Sequence, residues 1–237
     1  MIGFKSKLLN ATLAITAALP LATAGLFTSA GSAQAAALIG EIQFTGGFTA
    51  SPFASSQITF SQDALTFTPQ PITPIGIGSA TGNFSAFNSG NIGNIISFSS
   101  KVADNPFIDF GYLTYPGFIS PGENTSSITD GLNTFTLTSS SYKLNESGLN
   151  VGIDVALFGF FTSATGEISN GGGNLTFQVN NTSVASVNTI LTGGGSISNL
   201  SFSGGTFATV PEPAALLGLG AVGGVMVMSR RRKSFVK

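Results

Sequence analysis

The sequence predicts an all-β fold, with a single β-sandwich domain of the jelly-roll kind between two terminal segments. Short apolar–polar alternations recur along residues 36–208, at intervals of about 8–15 residues. The stretches between them are rich in turn formers, and the 237-residue chain contains 31 Gly and 10 Pro. No internal stretch shows a convincing helical period. Together these three observations predict many short strands around one core.

The clearest strand pair is predicted in the segment QITFSQDALTFTP. There Ile58 and Phe60 would face Leu65 and Phe67 across the turn SQDA, as in a hairpin. The most apolar internal stretch is LNVGIDVALFGFFTSA, and its glycines disfavour a stable helix, so we expect a central strand. The same alternation predicts strands in EIQFTGGFTA, NIISFSSKV, NPFIDFGYLTY, NTFTLTS and LTFQVN.

The alternative fold is a right-handed β-solenoid, which the abundance of Gly, Asn and Ser favours. A solenoid needs a fixed repeat period, and this sequence has none that we find. Residues 36–208 are enough for one domain with its own core. Most of the 21 Phe side chains are expected in that core, because they alternate with Ser and Thr along the strands. Stacking of Phe rings on a carbohydrate or another ligand is the alternative.

The composition excludes several kinds of chemistry. The chain contains no Cys, His or Trp, so Ser-His-Asp and Cys-His catalysis are excluded, and zinc and copper lack their usual ligands. We therefore expect no cofactor and no enzymatic activity. The segment 36–208 has two lysines and nine carboxylates, a net charge of −7, which argues against nucleic-acid binding. The nine carboxylates are Glu41, Asp63, Asp104, Asp109, Glu123, Asp130, Glu146, Asp154 and Glu167.

Residues 1–35 have the three parts of a cleavable signal peptide. Lys5 and Lys7 form a short basic region, an apolar stretch follows, and small residues end the segment. Ala33 and Ala35 occupy the positions that a signal peptidase requires to be small, so we expect cleavage between Ala35 and Ala36. The alternative is an uncleaved N-terminal membrane anchor.

Residues 209–237 combine a proline-flanked glutamate, an apolar run and a basic tail. Pro211 and Pro213 around Glu212 favour extended backbone, because proline fixes φ and disfavours helix at the residue before it. Residues 214–229 are apolar and predict a transmembrane helix of about 24 Å, short for a hydrocarbon core of about 30 Å. The basic tail 230–237 follows, and its cluster Arg230, Arg231, Arg232 and Lys233 predicts a cytoplasmic stop.

This C-terminal region resembles the PEP-CTERM sorting signal of exported Gram-negative and cyanobacterial proteins, because VPEP is followed by an apolar segment and then by the cluster RRRK. The resemblance covers about a tenth of the chain, Val210 to Lys233, together with the expected signal peptide. It implies recognition by an exosortase, a transpeptidase-like membrane enzyme, at Pro211, Glu212 and Pro213. The chain would then sit transiently in the inner membrane, be processed, and remain at the cell surface or in the medium. An ordinary linker and anchor is the alternative.

Two functions follow as hypotheses. The first is a non-enzymatic surface or extracellular-matrix protein, associated with biofilm or extracellular polysaccharide. The second is a calcium-dependent carbohydrate-binding module or a carbohydrate-active enzyme on a jelly roll. This second function needs two or more carboxylates close together in one site. Asp104 and Asp109 in the segment DNPFID are weak calcium candidates. Asp130 and Asp154 are further candidates for a carboxylate cluster. Carboxylates spread around the domain would favour the first.

Overall fold

The computed structural model describes residues 37–209, which form sixteen strands, one α-helix and two short 3-10 helices. The strands are β1 (Gly40–Gly46), β2 (Phe48–Ala50), β3 (Phe53–Ser55), β4 (Gln57–Ser61), β5 (Leu65–Thr68), β6 (Pro74–Ala80), β7 (Ser89–Ile92), β8 (Ile95–Ser97), β9 (Val102–Ala103), β10 (Ile108–Gly111), β11 (Phe118–Ile119), β12 (Thr134–Ser147), β13 (Asn150–Thr162), β14 (Ile168–Val179), β15 (Ser196–Leu200) and β16 (Phe202–Ala208). The α-helix is α1 (Val184–Thr192), and the 3-10 helices are Gly82–Ala86 and Ser126–Ile128.

The predictions made for the two chain ends lie outside the described residues. These are the signal peptide 1–35, the PEP triplet, the apolar segment 214–229 and the basic tail 230–237. Within residues 37–209, the structure has no helix with the length and apolar character needed to cross a membrane.

Eight strands form a closed antiparallel barrel in the order β1-β16-β14-β13-β12-β10-β7-β6. The barrel closes because β1 pairs along both of its edges, with β16 on one side and β6 on the other. The all-β prediction is therefore confirmed, but the jelly-roll sandwich is wrong, because two separate sheets would leave free edges that this closure removes. The solenoid alternative is also wrong: its coils stack strands in parallel, whereas every barrel pair here is antiparallel.

Both specific strand predictions are confirmed. β4 and β5 form the expected hairpin, with Ile58 opposite Phe67 and Phe60 opposite Leu65. β13 is a central strand, since it pairs along its length with β12 and β14. These two predictions succeed because alternation over a short span is enough to specify a hairpin face or a buried strand.

A cluster of phenylalanine rings fills the interior around Phe161. Its ring centroid lies 4.7 Å from that of Phe135, 5.1 Å from that of Phe84 and 6.1 Å from that of Phe110, and all four side chains are fully buried. Gly171 makes room for this cluster, because a Cβ there would lie 2.3 Å from Phe161 Cε2. The expectation that most Phe residues form the core is confirmed for these rings.

The five-stranded sheet β15-β4-β5-β8-β9 packs against barrel strands through a second group of rings. Phe60 of this sheet contacts Tyr142 and Phe177, with ring centroids 4.9 and 5.5 Å apart. Phe67 contacts Phe202 with a centroid distance of 5.1 Å. One continuous core therefore runs from the barrel to this sheet.

The helix α1 corrects the expectation that no internal segment is helical. Ser183 caps its N-terminus by accepting a hydrogen bond from Ser186 N, and Glu146 Oε1 accepts one from Val184 N. Val187 and Leu191 are buried on one face. The segment contains several β-branched residues with low helix propensity, so its helix depends on this cap and on burial of the apolar face.

Candidate functional site

The two calcium candidates have separate partners in the structure. Asp104 Oδ2 accepts hydrogen bonds from the backbone N–H of Asn94 at 3.0 Å and from its Nδ2 at 2.7 Å. Asn94 Oδ1 in turn accepts from Phe67 N at 2.7 Å. Asn94 therefore links two parts of the chain by hydrogen bonds: Asp104, which follows β9, and Phe67 of β5. Asp104 holds the Asn94 side chain in place.

We predict that Asp104→Ala lowers the free energy of unfolding by about 1–2 kcal/mol, because Asn94 loses its side-chain acceptor. Asp104→Asn should recover part of the loss by accepting the backbone bond. Urea unfolding with and without millimolar calcium measures both effects, and the exposed Glu167→Gln serves as a control for charge removal. A calcium-dependent stability that both Asp104 variants abolish would contradict this structural role.

Asp109 lies in a different environment, on β10. The side chain is only 4% exposed, and its Oδ2 accepts a hydrogen bond from Gly131 N at 2.8 Å. Its Oδ1 is buried and has no partner within the described part of the chain. Burial raises the pKa of Asp109 to about 6, and the nearby Asp130 carboxylate contributes to the rise by repulsion. Water and solutes have little access to this carboxyl group.

Four further carboxylates accept hydrogen bonds in different parts of the domain. Asp63 accepts from Ser99 N and from Ser97 Oγ, and Glu123 accepts from Thr114 N and from Ser120 Oγ. These bonds lower the pKa of both groups. Asp130 accepts from Leu132 N and Asp154 from Asn145 Nδ2. Over residues 37–209, no three acidic side chains converge to hold a metal ion.

Four aromatic side chains lie on or beside the outer three-stranded sheet β11-β2-β3. This aromatic strip consists of Phe48, Phe53, Tyr115 and Phe118. Phe48 and Phe53 stack with ring centroids 6.3 Å apart and ring planes 19° apart. Phe118 is the register partner of Phe48, and its ring centroid is 6.4 Å from that of Tyr115. Because register partners leave the same face of a sheet, Phe118 and Phe48 lie on one face, and their neighbours Tyr115 and Phe53 extend this surface.

The strip is exposed to an unusual degree for aromatic side chains. Phe53 is 75% exposed, Tyr115 is 59% exposed and Phe48 is 46% exposed, while Phe118 is half-buried. Contiguous exposed apolar surface commonly marks an interaction site. The strip is therefore the strongest candidate binding surface of the described residues.

The small sheet is held against the barrel by a close approach of two backbones. Gly117, at φ +67°, lies against Gly76 of β6, and a Cβ at Gly117 would be 2.6 Å from Gly76 Cα. Gly117 N also donates to the buried Ser89 Oγ at 2.8 Å. These contacts position β11, and therefore Phe118, on the outer surface of the barrel.

A cleft of about 560 Å³ borders the same sheet. Thr49 and Ile119, which alternate with Phe48 and Phe118 along their strands, line it from the face opposite the strip. Its remaining lining combines prolines with hydroxyl and amide side chains, namely Ser51, Pro52, Pro69, Gln70, Pro71, Ser120, Pro121 and Thr125 among others. Its one charged lining residue is Glu123.

Sequence reasoning favoured a core position for the Phe side chains and did not identify which rings form the strip. One signal was present: Phe53 and Phe118 stand in TASPFAS and TYPGFIS, where Pro and Gly interrupt the apolar alternation of a buried strand. Register, which the sequence does not reveal, brings these segments together. Comparison of the chain with protein-family models, curated proteins and solved structures gave no significant match.

Proposed function

We propose that the chain is a non-enzymatic, exported protein of the cell surface or extracellular matrix, sorted through its C-terminal PEP-CTERM-like signal. In this proposal an exosortase-type enzyme acts at Pro211, Glu212 and Pro213 while residues 214–229 hold the chain in the inner membrane. The β-domain then acts outside that membrane by contact with extracellular polysaccharide or by self-association.

The observation that carries the proposal for the β-domain is the aromatic strip, an exposed surface suited to binding. The arrangement of the carboxylates supports it as well. Asp63, Asp104, Glu123 and Glu146 each accept hydrogen bonds from nearby backbone N–H groups, in different parts of the domain. Carboxylates used in this way stabilise loops and helix ends, which is a structural role.

A second candidate, a carbohydrate-active enzyme or calcium-dependent sugar-binding module, is favoured by one observation. Asp109 has an unpaired buried oxygen and a pKa of about 6, and a raised pKa is typical of a general acid. Its 4% exposure is the difficulty, because a general acid must contact the substrate oxygen it protonates. The surface-protein proposal therefore accounts for more of the structure.

The test is the intact mass of the protein recovered from the envelope and from the medium of its source cells. We expect a species that begins at Ala36 and ends near Pro213. The variant Pro211→Ala/Pro213→Ala should retain the tail, and Glu167→Gln, which leaves the tail unchanged, should be processed normally. A wild-type protein that still carries SRRRKSFVK in all fractions would contradict the sorting proposal.

A further inference from the structure

The aromatic strip is too small for a stable protein interface. An aromatic side chain presents about 150–250 Å² when fully exposed, so the strip offers roughly 300–500 Å² at the exposures it has. A stable protein–protein interface buries about 800 Å² on each partner. A second copy of this chain bound through the strip alone would therefore associate weakly.

Pairing of strand edges does not supply the missing area. The outer strand of the small sheet on the Phe53 side, β3, has three residues, and β11 on the other side has two. Strands this short offer few backbone hydrogen bonds to an added strand. A partner that lies on the ring faces is favoured over one that extends the sheet.

The charge around the strip favours an uncharged ligand. Residues 46–62 and 112–122 contain no charged side chain. The segment 36–208 has a net charge of −7, which repels acidic polymers and anionic lipid surfaces. The nearest acid along the chain, Glu123, already accepts hydrogen bonds from Thr114 N and Ser120 Oγ.

We propose that the aromatic strip binds the pyranose rings of a neutral polysaccharide. The C–H face of a pyranose is apolar and slightly positive, so it complements the negative face of an aromatic ring. Phe53 is the most exposed ring of this surface, at 75%, and it stacks with Phe48, so these two rings are the main contact expected for a sugar. Repeated sugar units along one polymer allow several weak contacts to act together. The inference rests on the proposed function, since it names the partner of the exported β-domain.

The experiment is affinity electrophoresis of the full chain, purified in mild detergent, in native gels that contain hydroxyethylcellulose, galactomannan or acidic alginate. We expect retardation by at least one of the two neutral polymers and none by alginate. Phe48→Ala/Phe53→Ala should raise the apparent Kd at least ten-fold, and Phe53→Tyr should retain binding. The matched control is Phe158→Ala/Phe207→Ala on the outer barrel surface, where the rings are 56% and 49% exposed, and it should stay within two-fold of wild type.

The proposal is overturned if neither neutral polymer retards the wild-type chain, or if both double variants lose retardation equally. It is also overturned if sedimentation shows a dimer that Phe48→Ala/Phe53→Ala dissociates, since the occupant is then a second copy. Binding to phosphatidylcholine vesicles through the same rings, without retardation by either polymer, assigns the strip to a lipid surface instead.

Unchanged circular dichroism of the variants shows that the fold is intact. Processing of the tail is measured separately, by intact mass. A negative electrophoresis result therefore does not contradict the export proposal, and retention of the basic tail does not contradict the proposal for the strip.

Discussion

Phe161→Ala is expected to lower the free energy of unfolding by about 3–5 kcal/mol, the largest effect of any substitution considered. The ring is fully buried and contacts Phe84, Phe110 and Phe135, so its removal leaves a cavity where several rings meet. Urea or guanidinium unfolding of the full chain, followed by circular dichroism because the chain has no Trp, measures the loss.

Phe158→Ala is the matched control for this prediction. Phe158 lies three residues earlier on the same strand, but its side chain is 56% exposed. A surface substitution of this kind usually changes stability by no more than about 0.5 kcal/mol. Equal losses for the two variants would mean that the cluster around Phe161 is not the tightly packed centre that the ring distances indicate.

Asp109→Asn is expected to stabilise the protein at neutral pH by about 1–3 kcal/mol. Burial disfavours the ionised carboxylate and raises its pKa from 3.8 to about 6. At pH 7 the native state must therefore hold a desolvated charge, which asparagine removes at nearly the same volume. The hydrogen bond from Gly131 N can still be accepted by the amide oxygen.

The raised pKa of Asp109 determines how the stabilisation by Asp109→Asn depends on pH. Between pH 3.8 and about 6, native Asp109 retains a proton that the unfolded chain has released, so its contribution to stability falls as pH rises through this window. Below the window the group is neutral in both states, and above it the full cost is present. The advantage of Asp109→Asn should therefore be near zero at pH 4 and complete at pH 7 to 8.

Unfolding of both proteins at one-unit intervals from pH 4 to pH 8 measures this difference. Asp63 and Glu123 have lowered pKa values, so their stabilisation is lost as pH falls below the usual carboxyl range, but that loss is common to both proteins and cancels. Asp130→Asn should lower the pKa of Asp109 by removing a repulsive charge. A stability difference that is constant across pH would contradict the electrostatic explanation.

Local sequence pattern predicted the elements whose partners lie close along the chain. The hairpin of β4 and β5 and the central strand β13 were predicted because alternation alone specifies which side chains share a face. The helix α1 was missed because its residues have modest helix propensity, and only the cap at Ser183, the bond from Val184 N to Glu146 and burial of Val187 reveal it.

The candidate surface could be predicted only in part. Proline and glycine near Phe53 and Phe118 indicate that these rings are not in ordinary buried strands, but nothing local places the two rings on one surface. That juxtaposition depends on the pairing of β11 with β2 across about seventy residues of chain. Likewise, the burial of Asp109 depends on the loop that contains Gly131, and DNPFID alone does not reveal it.

The sequence by itself determined the all-β class, the acidic and nearly cation-free body, and the absence of His and Cys chemistry, because these follow from composition and short-range alternation. Export and processing rest on the terminal motifs alone and stay predictions. Only the tertiary structure decided that the sheet closes, because β1 must find both β6 and β16, and Leu38 O accepts a hydrogen bond from Ser169 Oγ 131 residues away. It also decided which aromatic rings face solvent, since sandwich and barrel share one alternation pattern and differ only in long-range register.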